Sequence, residues 1–294
     1  MTVPIVETFR GRIAGLAWLA LACPCTAIAQ GQEKELDTPY VPTPQAVVDK
    51  MLDMAQVKAG DMVIDLGSGD GRIMITAAQR HGAQGFGVEI DPRLVQRSND
   101  EARRVGVADR VKFLRQDLFN TDFHETNVLT LYLLPDVNIA LRPKILAELK
   151  PGTRVVSHDY DMREWRPDAE ATVPAPDKKV GMRKESMVYL WIVPARVEGE
   201  WTFELSSGGK TRKTRLTLLQ SFQFVSGSVE LTGQGDVLLS DGKLRGNELR
   251  LVLPGGALDR GPVELVGRVK GDFISGTVRK ADREVANWNA RRRN

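Results

Sequence analysis

The chain has almost no sulfhydryl chemistry. Its two cysteines, Cys23 and Cys25, both lie near the N-terminus, so removing that end would leave no thiol for a disulfide, a nucleophile or a cysteine-ligated metal. Three histidines, His81, His124 and His158, are too few for a histidine-rich metal site, and no metal is expected. The formal charge of +3 is too small to argue for a specific nucleic-acid partner. Beyond the N-terminus, no apolar run approaches the roughly 18 residues that a spanning helix needs, so no stable membrane span is expected once that segment is gone. These absences leave an ordinary globular chain, 42% hydrophobic and 27% charged.

The N-terminus differs from the rest. Arg10 and Arg12 precede an uncharged apolar run, and Ala27-Ile28-Ala29 stands before Gln30. A basic region, an apolar stretch and a small-residue cleavage site form the pattern of a secretory signal. Residues 1–29 are therefore expected to be a signal peptide, which places the mature protein outside the cytoplasm, in the periplasm of a bacterium. The alternatives are an anchor in the inner membrane through an uncleaved N-terminus, or a cytoplasmic chain.

Two patterns follow. Over residues 30–195, short apolar runs such as "MVIDL" and "GFGVEI" alternate with helical segments such as "RIMITAAQRHG" and "PRLVQRSNDEARRVG". This alternation implies a doubly wound, mostly parallel α/β sheet of Rossmann-like type. Over residues 196–294, seven or eight short strands separated by glycine-containing turns are expected to form a small antiparallel all-β barrel or sandwich. There, Ser240-Asp241-Gly242 reads as a hairpin turn, and the closing Arg291-Arg292-Arg293 reads as a solvated tail.

The chemistry concentrates in "VIDLGSGDGRI", residues 63–73. Glycines here fall where a strand turns into a helix, the edge at which doubly wound sheets bind ligands. A dinucleotide fingerprint starting at Gly67 would need a third glycine where Arg72 stands, and no Gly-Lys-Ser/Thr follows for a phosphate loop. Asp65, at the strand end, would repel a pyrophosphate but attract an ammonium group. Glu89, 24 residues later at the end of the second strand, can accept from both ribose hydroxyls. Asp117, after the third strand, can accept from an adenine amine. Ammonium, ribose and adenine together describe S-adenosylmethionine, which carries no phosphate.

With these residues in place, the chain resembles the class I, seven-strand methyltransferases dependent on S-adenosylmethionine, over roughly residues 38–193. "PYVPTPQAVVDKML", "LGSGDGRI" and "GVEIDPRLVQRS" further resemble the lysine methyltransferases of the mitochondrial ATP-synthase c-subunit and of the ADP/ATP carrier, and the archaeal lysine methyltransferases. The resemblance implies that Tyr40, Thr43, Asp65, Gly67, Ser68, Gly69, Glu89, Asp117 and Leu118 bind the cofactor. It also implies an amine acceptor, such as a protein lysine. "YLLPDVN" stands where amine-methylating relatives carry an Asn-Pro-Pro-Tyr-like motif, so Tyr132 and Pro135 are candidate acceptor residues. His158, at a strand end, is a candidate proton relay or a structural group. Asp136, Asn138, Asp159, Tyr160 and Trp165 lie on the same loops. Two other readings stand beside this one: a small-molecule methyltransferase, and an exported non-catalytic binding protein with a methyltransferase-like domain. The acceptor and the oligomeric state are not legible, and the β domain is open to substrate recruitment, dimerisation or a role as a lid.

The signal pattern generates the first prediction. N-terminal sequencing of the protein recovered from its native host should begin at Gln30; an intact Met1 in a soluble cytoplasmic fraction would overturn the export reading.

Overall fold

A computed structural model describes residues 40–293, apart from 208–209, 256–259 and 282. The expected signal peptide lies outside the described residues. Asp37–Asn294 forms one compact unit.

The first half builds β1 (Met62–Leu66), β2 (Gln84–Glu89), β3 (Val111–Arg115), β4 (Val128–Leu131) and β5 (Arg154–His158), joined through helices α1 (Gln45–Met54), α2 (Arg72–His81), α3 (Pro92–Arg104) and α4 (Pro135–Glu148), with α1 leading into β1. Two further strands, β6 (Ala169–Pro174) and β7 (Glu185–Ile192), complete a seven-stranded sheet of order β3-β2-β1-β4-β5-β7-β6. Strands β1 to β5 run parallel, and β7 is antiparallel to both β5 and β6. Helices cover both faces, as the alternation implies. Residues of α1, α2 and α3 pack on one face around Met51, Leu52, Met74 and Phe113. Leu141 and Ile145 of α4 pack on the other with Phe123, Trp165 and Trp191. The strand order reverses at β1, between β2 and β4, which puts the glycine turn at the topological switch point.

Two elements depart from the pattern read in sequence. Helix α4 begins at Pro135, so "PDVN", with Asp136 and Asn138, is its first turn and not a loop. Proline at the first helical position loses no hydrogen bond, and Pro143 is accommodated inside the same helix. Strand β6 was not legible because prolines flank it; as an edge strand paired only to β7 it tolerates them.

The second half is a sheet of nine strands, β8 (Gly199–Ser207), β9 (Lys210–Ser221), β10 (Phe224–Leu231), β11 (Gly235–Leu238), β12 (Asp241–Arg245), β13 (Glu248–Leu253), β14 (Val263–Lys270), β15 (Phe273–Lys280) and β16 (Arg283–Arg292). Pairing of β9 with β10 closes eight of them into a barrel, with β11 hydrogen-bonded to the far end of β10. Trp201, Phe203, Leu216 and Trp288 fill its interior. The Asp241-Gly242 hairpin is absent, because both residues begin β12, opposite Val252 and Leu251. Gly242 is needed for space and not for a turn: a Cβ there would lie 2.3 Å from the Val225 carbonyl oxygen. The basic tail is not a tail either. Arg291 and Arg292 belong to β16, and Arg292 stacks over Trp201 at 4.3 Å and pairs with Asp272 at 2.8 Å.

The barrel meets the first sheet along α4 and the connections beside it. Phe222 stacks on Trp165 at 6.1 Å and lies under the Arg142 guanidinium. Gln223 Nε2 donates to the Arg166 carbonyl at 2.6 Å, and Ala195 N donates to Gly246 O at 2.7 Å. Gly246 of the barrel packs close to Gly152 and Ile192, where an added Cβ would lie 3.0 Å and 3.6 Å from them; since Ile192 pairs with Arg154 at the start of β5, this junction extends to the amino edge of the parallel strands. These contacts run along α4 to the amino edge and none of them touches the glycine turn, which argues against the lid reading of the barrel. Trp165 is accordingly a packing residue, fully buried, and not part of an acceptor rim.

Trp165→Ala should destabilise the protein by about 3 to 5 kcal/mol, the usual cost of emptying a buried tryptophan site. Trp165→Phe should cost much less, because Trp165 Nε1 is a buried donor with no partner. Denaturant unfolding of both variants checks this; equal, small losses would show that the junction does not pack as a core.

Candidate functional site

Every sequence-predicted site residue except Tyr40 and Thr43 lies at or just beyond the carboxyl end of a parallel strand, and those two approach the same edge from the segment before α1. Val88 O accepts from both Gly67 N and Ser68 N at 2.9 Å, drawing the turn onto β2. Gly67 and Gly69 have φ of 72° and 54°, in the left-handed region. A Cβ on Gly67 would meet Leu133 at 2.8 Å, and one on Gly69 would meet the Tyr40 ring at 2.6 Å. The turn is thus shaped for a backbone passing close to other groups, and Tyr40 lies directly over it.

Asp65 is buried. Its Oδ1 accepts from Thr130 Oγ1 at 2.6 Å, while Oδ2 has no partner, and neither does the nearby buried Ser68 Oγ. Burial pushes the Asp65 carboxyl up to about 7, helped by the charges of Glu89 and Asp70 and opposed by the Thr130 hydrogen bond. A buried acceptor without a donor is costly, and an ammonium group satisfies it. The donor set therefore fits the amino-acid end of S-adenosylmethionine.

Glu89 does more than sequence reasoning assigned to it. Its Oε2 accepts from Gly69 N at 3.0 Å, and Oε1 accepts from Ile90 N at 2.7 Å and Asp91 N at 3.0 Å. A carboxylate offers about four acceptor directions, so one place, on Oε2, is left for a ribose hydroxyl where two had been expected. Glu89 also ties the glycine turn to β2. Asp117 caps a short 3-10 turn, Leu118–Asn120, by accepting from Phe119 N at 2.9 Å, which sets it and the half-buried Leu118 at the end of β3.

Two residues missed in sequence reasoning close the site from above. Arg72, whose only sequence signal was to break a dinucleotide pattern, donates to the Thr43 carbonyl at 2.8 Å and pairs with Asp70 at 2.6 Å. Asp70 in turn accepts from the Tyr40 hydroxyl. Burial would raise the Asp70 carboxyl, but the Arg72 hydrogen bonds and charge hold it below the usual range. The spacing of Asp70 and Arg72 within one turn was the available signal.

On the acceptor side, His158 is fully buried. Its Nδ1 lies 3.2 Å from Thr43 Oγ1 and its Nε2 2.8 Å from Ser186 Oγ. Burial pushes the ring down to about 4, against the pull of Asp159, so it is neutral at pH 7. The Tyr132 ring stacks on it at 3.9 Å and faces Tyr160 at 6.4 Å. Burial, then Asp159 and Tyr160, raise the Tyr132 hydroxyl to about 12. The proton-relay reading of His158 is corrected by this geometry: a buried imidazole with both nitrogens engaged supports Tyr132 and does not reach an acceptor. Pro135 opens α4 three residues after Tyr132. Asn138 is buried in that helix and donates to the Tyr160 carbonyl at 3.3 Å, while Asp136 is exposed on its first turn.

A family model described as the ANTKMT methyltransferase domain matches residues 65–169. A protein-lysine N-methyltransferase of Saccharolobus islandicus is 45% identical over 130 residues, 44% of this chain and 81% of that one. A lysine N-methyltransferase of the ATP synthase c-subunit, from Xenopus laevis, is 35% identical, over 52% of this chain and 66% of its own. An adenine nucleotide translocase lysine N-methyltransferase of Mus musculus is 36% identical, over 46% of this chain and 58% of its own. The chain thus spans about two thirds or less of these animal relatives. A solved RNA methyltransferase of Salinibacter ruber with S-adenosylhomocysteine is 50% identical, covering 53% of this chain and 96% of that one, with a TM-score of 0.48.

The raised Asp65 carboxyl gives a signed expectation. A carboxyl raised from 3.8 to about 7 in the folded state supports stability below its unfolded value, and that support is lost as pH rises through about 7. Binding of an ammonium-bearing cofactor favours the ionised form. S-adenosylhomocysteine affinity should therefore rise with pH up to about 7, by at most about tenfold per unit, with proton release below that pH. Asp65→Asn should flatten the rise, and NAD should not bind. Calorimetry in buffers of different ionisation enthalpy checks this; a wild-type affinity independent of pH would refute the ammonium contact.

Proposed function

Because the chain belongs to the S-adenosylmethionine-dependent protein-lysine N-methyltransferases, we propose that it methylates a lysine side-chain amine on a protein substrate. The observation that carries the amine reading is the uncharged aromatic rim of Tyr132 and Tyr160, backed by neutral His158, beside the cofactor turn.

S-adenosylmethionine supplies an activated methyl group on a sulfonium, whose loss leaves a neutral thioether. Transfer to an amine would form a C–N bond from the lone pair while the C–S electron pair stayed on sulfur. The leaving group needs no acid, so the protein's task is alignment, exclusion of water and delivery of a free lone pair. The glycine turn, Asp65, Ser68 and Glu89 orient the donor. Tyr40 and Thr43, clamped by Asp70 and Arg72, cover it from water.

A lysine of ordinary pKa, about 10.4, pays about 4.6 kcal/mol to be neutral at pH 7. An apolar rim lowers that cost by desolvating the ammonium. Neither neighbouring titratable ring takes the proton: His158 is too weak a base and too buried, and Tyr132 keeps its own proton to about 12. The proton therefore leaves to water before transfer. We further propose that the protein acts after export, on the strength of Arg10, Arg12 and the apolar run behind them.

The test is mass spectrometry of host proteins incubated with the enzyme and methyl-labelled cofactor. Label should appear on lysine Nζ of protein. Tyr132→Ala should lower transfer at least tenfold while leaving S-adenosylhomocysteine affinity within about twofold. Label confined to small molecules would replace this reading with the small-molecule one, and no transfer at all with the binding-protein one.

A further inference from the structure

An ion pair stands behind the acceptor rim, and the chemistry above does not use it. Lys178, in the turn between β6 and β7, places Nζ 2.7 Å from Asp159 Oδ2 and donates to the Glu185 carbonyl at 2.8 Å. Both side chains are largely buried, 11% and 14% exposed. Asp159 follows His158 at the end of β5 and has φ 61°, a left-handed conformation that a non-glycine residue keeps only when its surroundings over-determine it. Here they do. Its N–H donates to Met187 O at 2.7 Å, its Oδ1 accepts from Met187 N at 3.0 Å, and its Oδ2 lies 3.4 Å from His158 Nε2. Since His158 stacks on Tyr132 at 3.9 Å, this carboxylate lies at the edge of the ring that backs the rim.

We propose that Lys178 is a positioning residue that keeps Asp159 in a closed ion pair, so that the rim presents no net charge and an acceptor amine enters as the neutral nucleophile. The inference rests on the amine reading above. A bare carboxylate about 7 Å from an ammonium in partly buried surroundings favours the charged form by about one to two pH units. It would tighten binding and remove the lone pair that reacts. The groups facing Asp159 leave this task to Lys178. His158 is neutral; Tyr132, Tyr160 and Tyr189 carry phenols; Asp161 is acidic; and Glu185 faces Arg183 at 3.9 Å. Among the described ion pairs to Asp159, Lys178 supplies the one permanent cation.

The experiment follows methyl transfer to polylysine across pH, with kcat and KM separated, beside an NMR titration of the His158 ring. For Lys178→Gln the rising limb of kcat should move up by about one unit or more, which lowers kcat at pH 7 about tenfold, while KM falls. His158 should titrate at higher pH in the same variant. Asp159→Asn leaves the cation alone and should move the limb the opposite way, which keeps the inference testable if Lys178→Gln does not fold. Combining both substitutions should return the limb and the His158 titration towards wild type, and Lys178→Arg should keep both. A limb and a His158 titration unmoved in Lys178→Gln would overturn the role of Lys178 alone. A large rise in KM for Asp159→Asn with an unmoved limb would overturn it too, making Asp159 the acceptor's own partner. Absence of transfer to polylysine by the wild type at any pH would instead remove the amine reading, and this inference with it.

Discussion

A carboxylate buried at the tip of β1 is the constraint around which the cofactor side is arranged. Asp65 has one oxygen on Thr130 and one without a partner, and it shares its surroundings with Glu89 and Asp70. Three acids gathered at one sheet edge repel each other unless each is answered. Glu89 is answered by three backbone N–H groups and Asp70 by the Arg72 guanidinium. Of the three, Asp65 is the one with a wholly unanswered oxygen, and it is left for a ligand. The same contacts shape the turn, because the donors that answer Glu89 include Gly69 N and the cation that answers Asp70 also grips Thr43. Electrostatic balance and loop geometry are therefore one arrangement.

The acceptor side is balanced the other way, towards neutrality. Burial keeps His158 uncharged and Tyr132 protonated, and Thr43 joins the two sides by reaching His158 with its hydroxyl and Arg72 with its carbonyl. A sulfonium donor brings a positive charge to the turn. A second positive charge on the acceptor would both oppose it and lack the lone pair. An acidic turn beside an uncharged rim thus suits a cationic donor and a neutral acceptor.

What was legible in the sequence was whatever depends on short-range pattern. Strands β1 to β5, the helices between them and the glycine turn follow from hydrophobic period, and Gly82, the last residue of "RIMITAAQRHG", ends α2 in a left-handed conformation. The carboxylates at the ends of β1, β2 and β3 were found because sheet topology brings strand ends together. The errors share one cause. Pro135, Asp241-Gly242 and the closing arginines have local signals for loop, turn and tail, yet each is taken up into a regular element: α4 starts on the proline, Gly242 lets Val225 approach β12, and Arg292 lies on Trp201 from β16. The support role of His158 and the clamp by Arg72 depend on residues far apart in sequence, so no local pattern could carry them.

The barrel is remote from the turn, yet it shares an element with the rim. Helix α4 has 14 residues, about 21 Å at 1.5 Å per residue. Its first turn begins three residues after Tyr132, and Asn138 within it holds the Tyr160 carbonyl. Further along the helix, Arg142 lies over Phe222 and Arg196 donates to the Leu146 carbonyl at 3.1 Å. Pro143 removes one backbone hydrogen bond from the middle of this helix, which is where the barrel's contacts begin. A helix weakened at its centre and braced from outside at that point keeps its direction. The barrel, whatever else it binds, therefore buttresses the helix that carries one wall of the acceptor site, and the rim's geometry is supported from both halves of the chain.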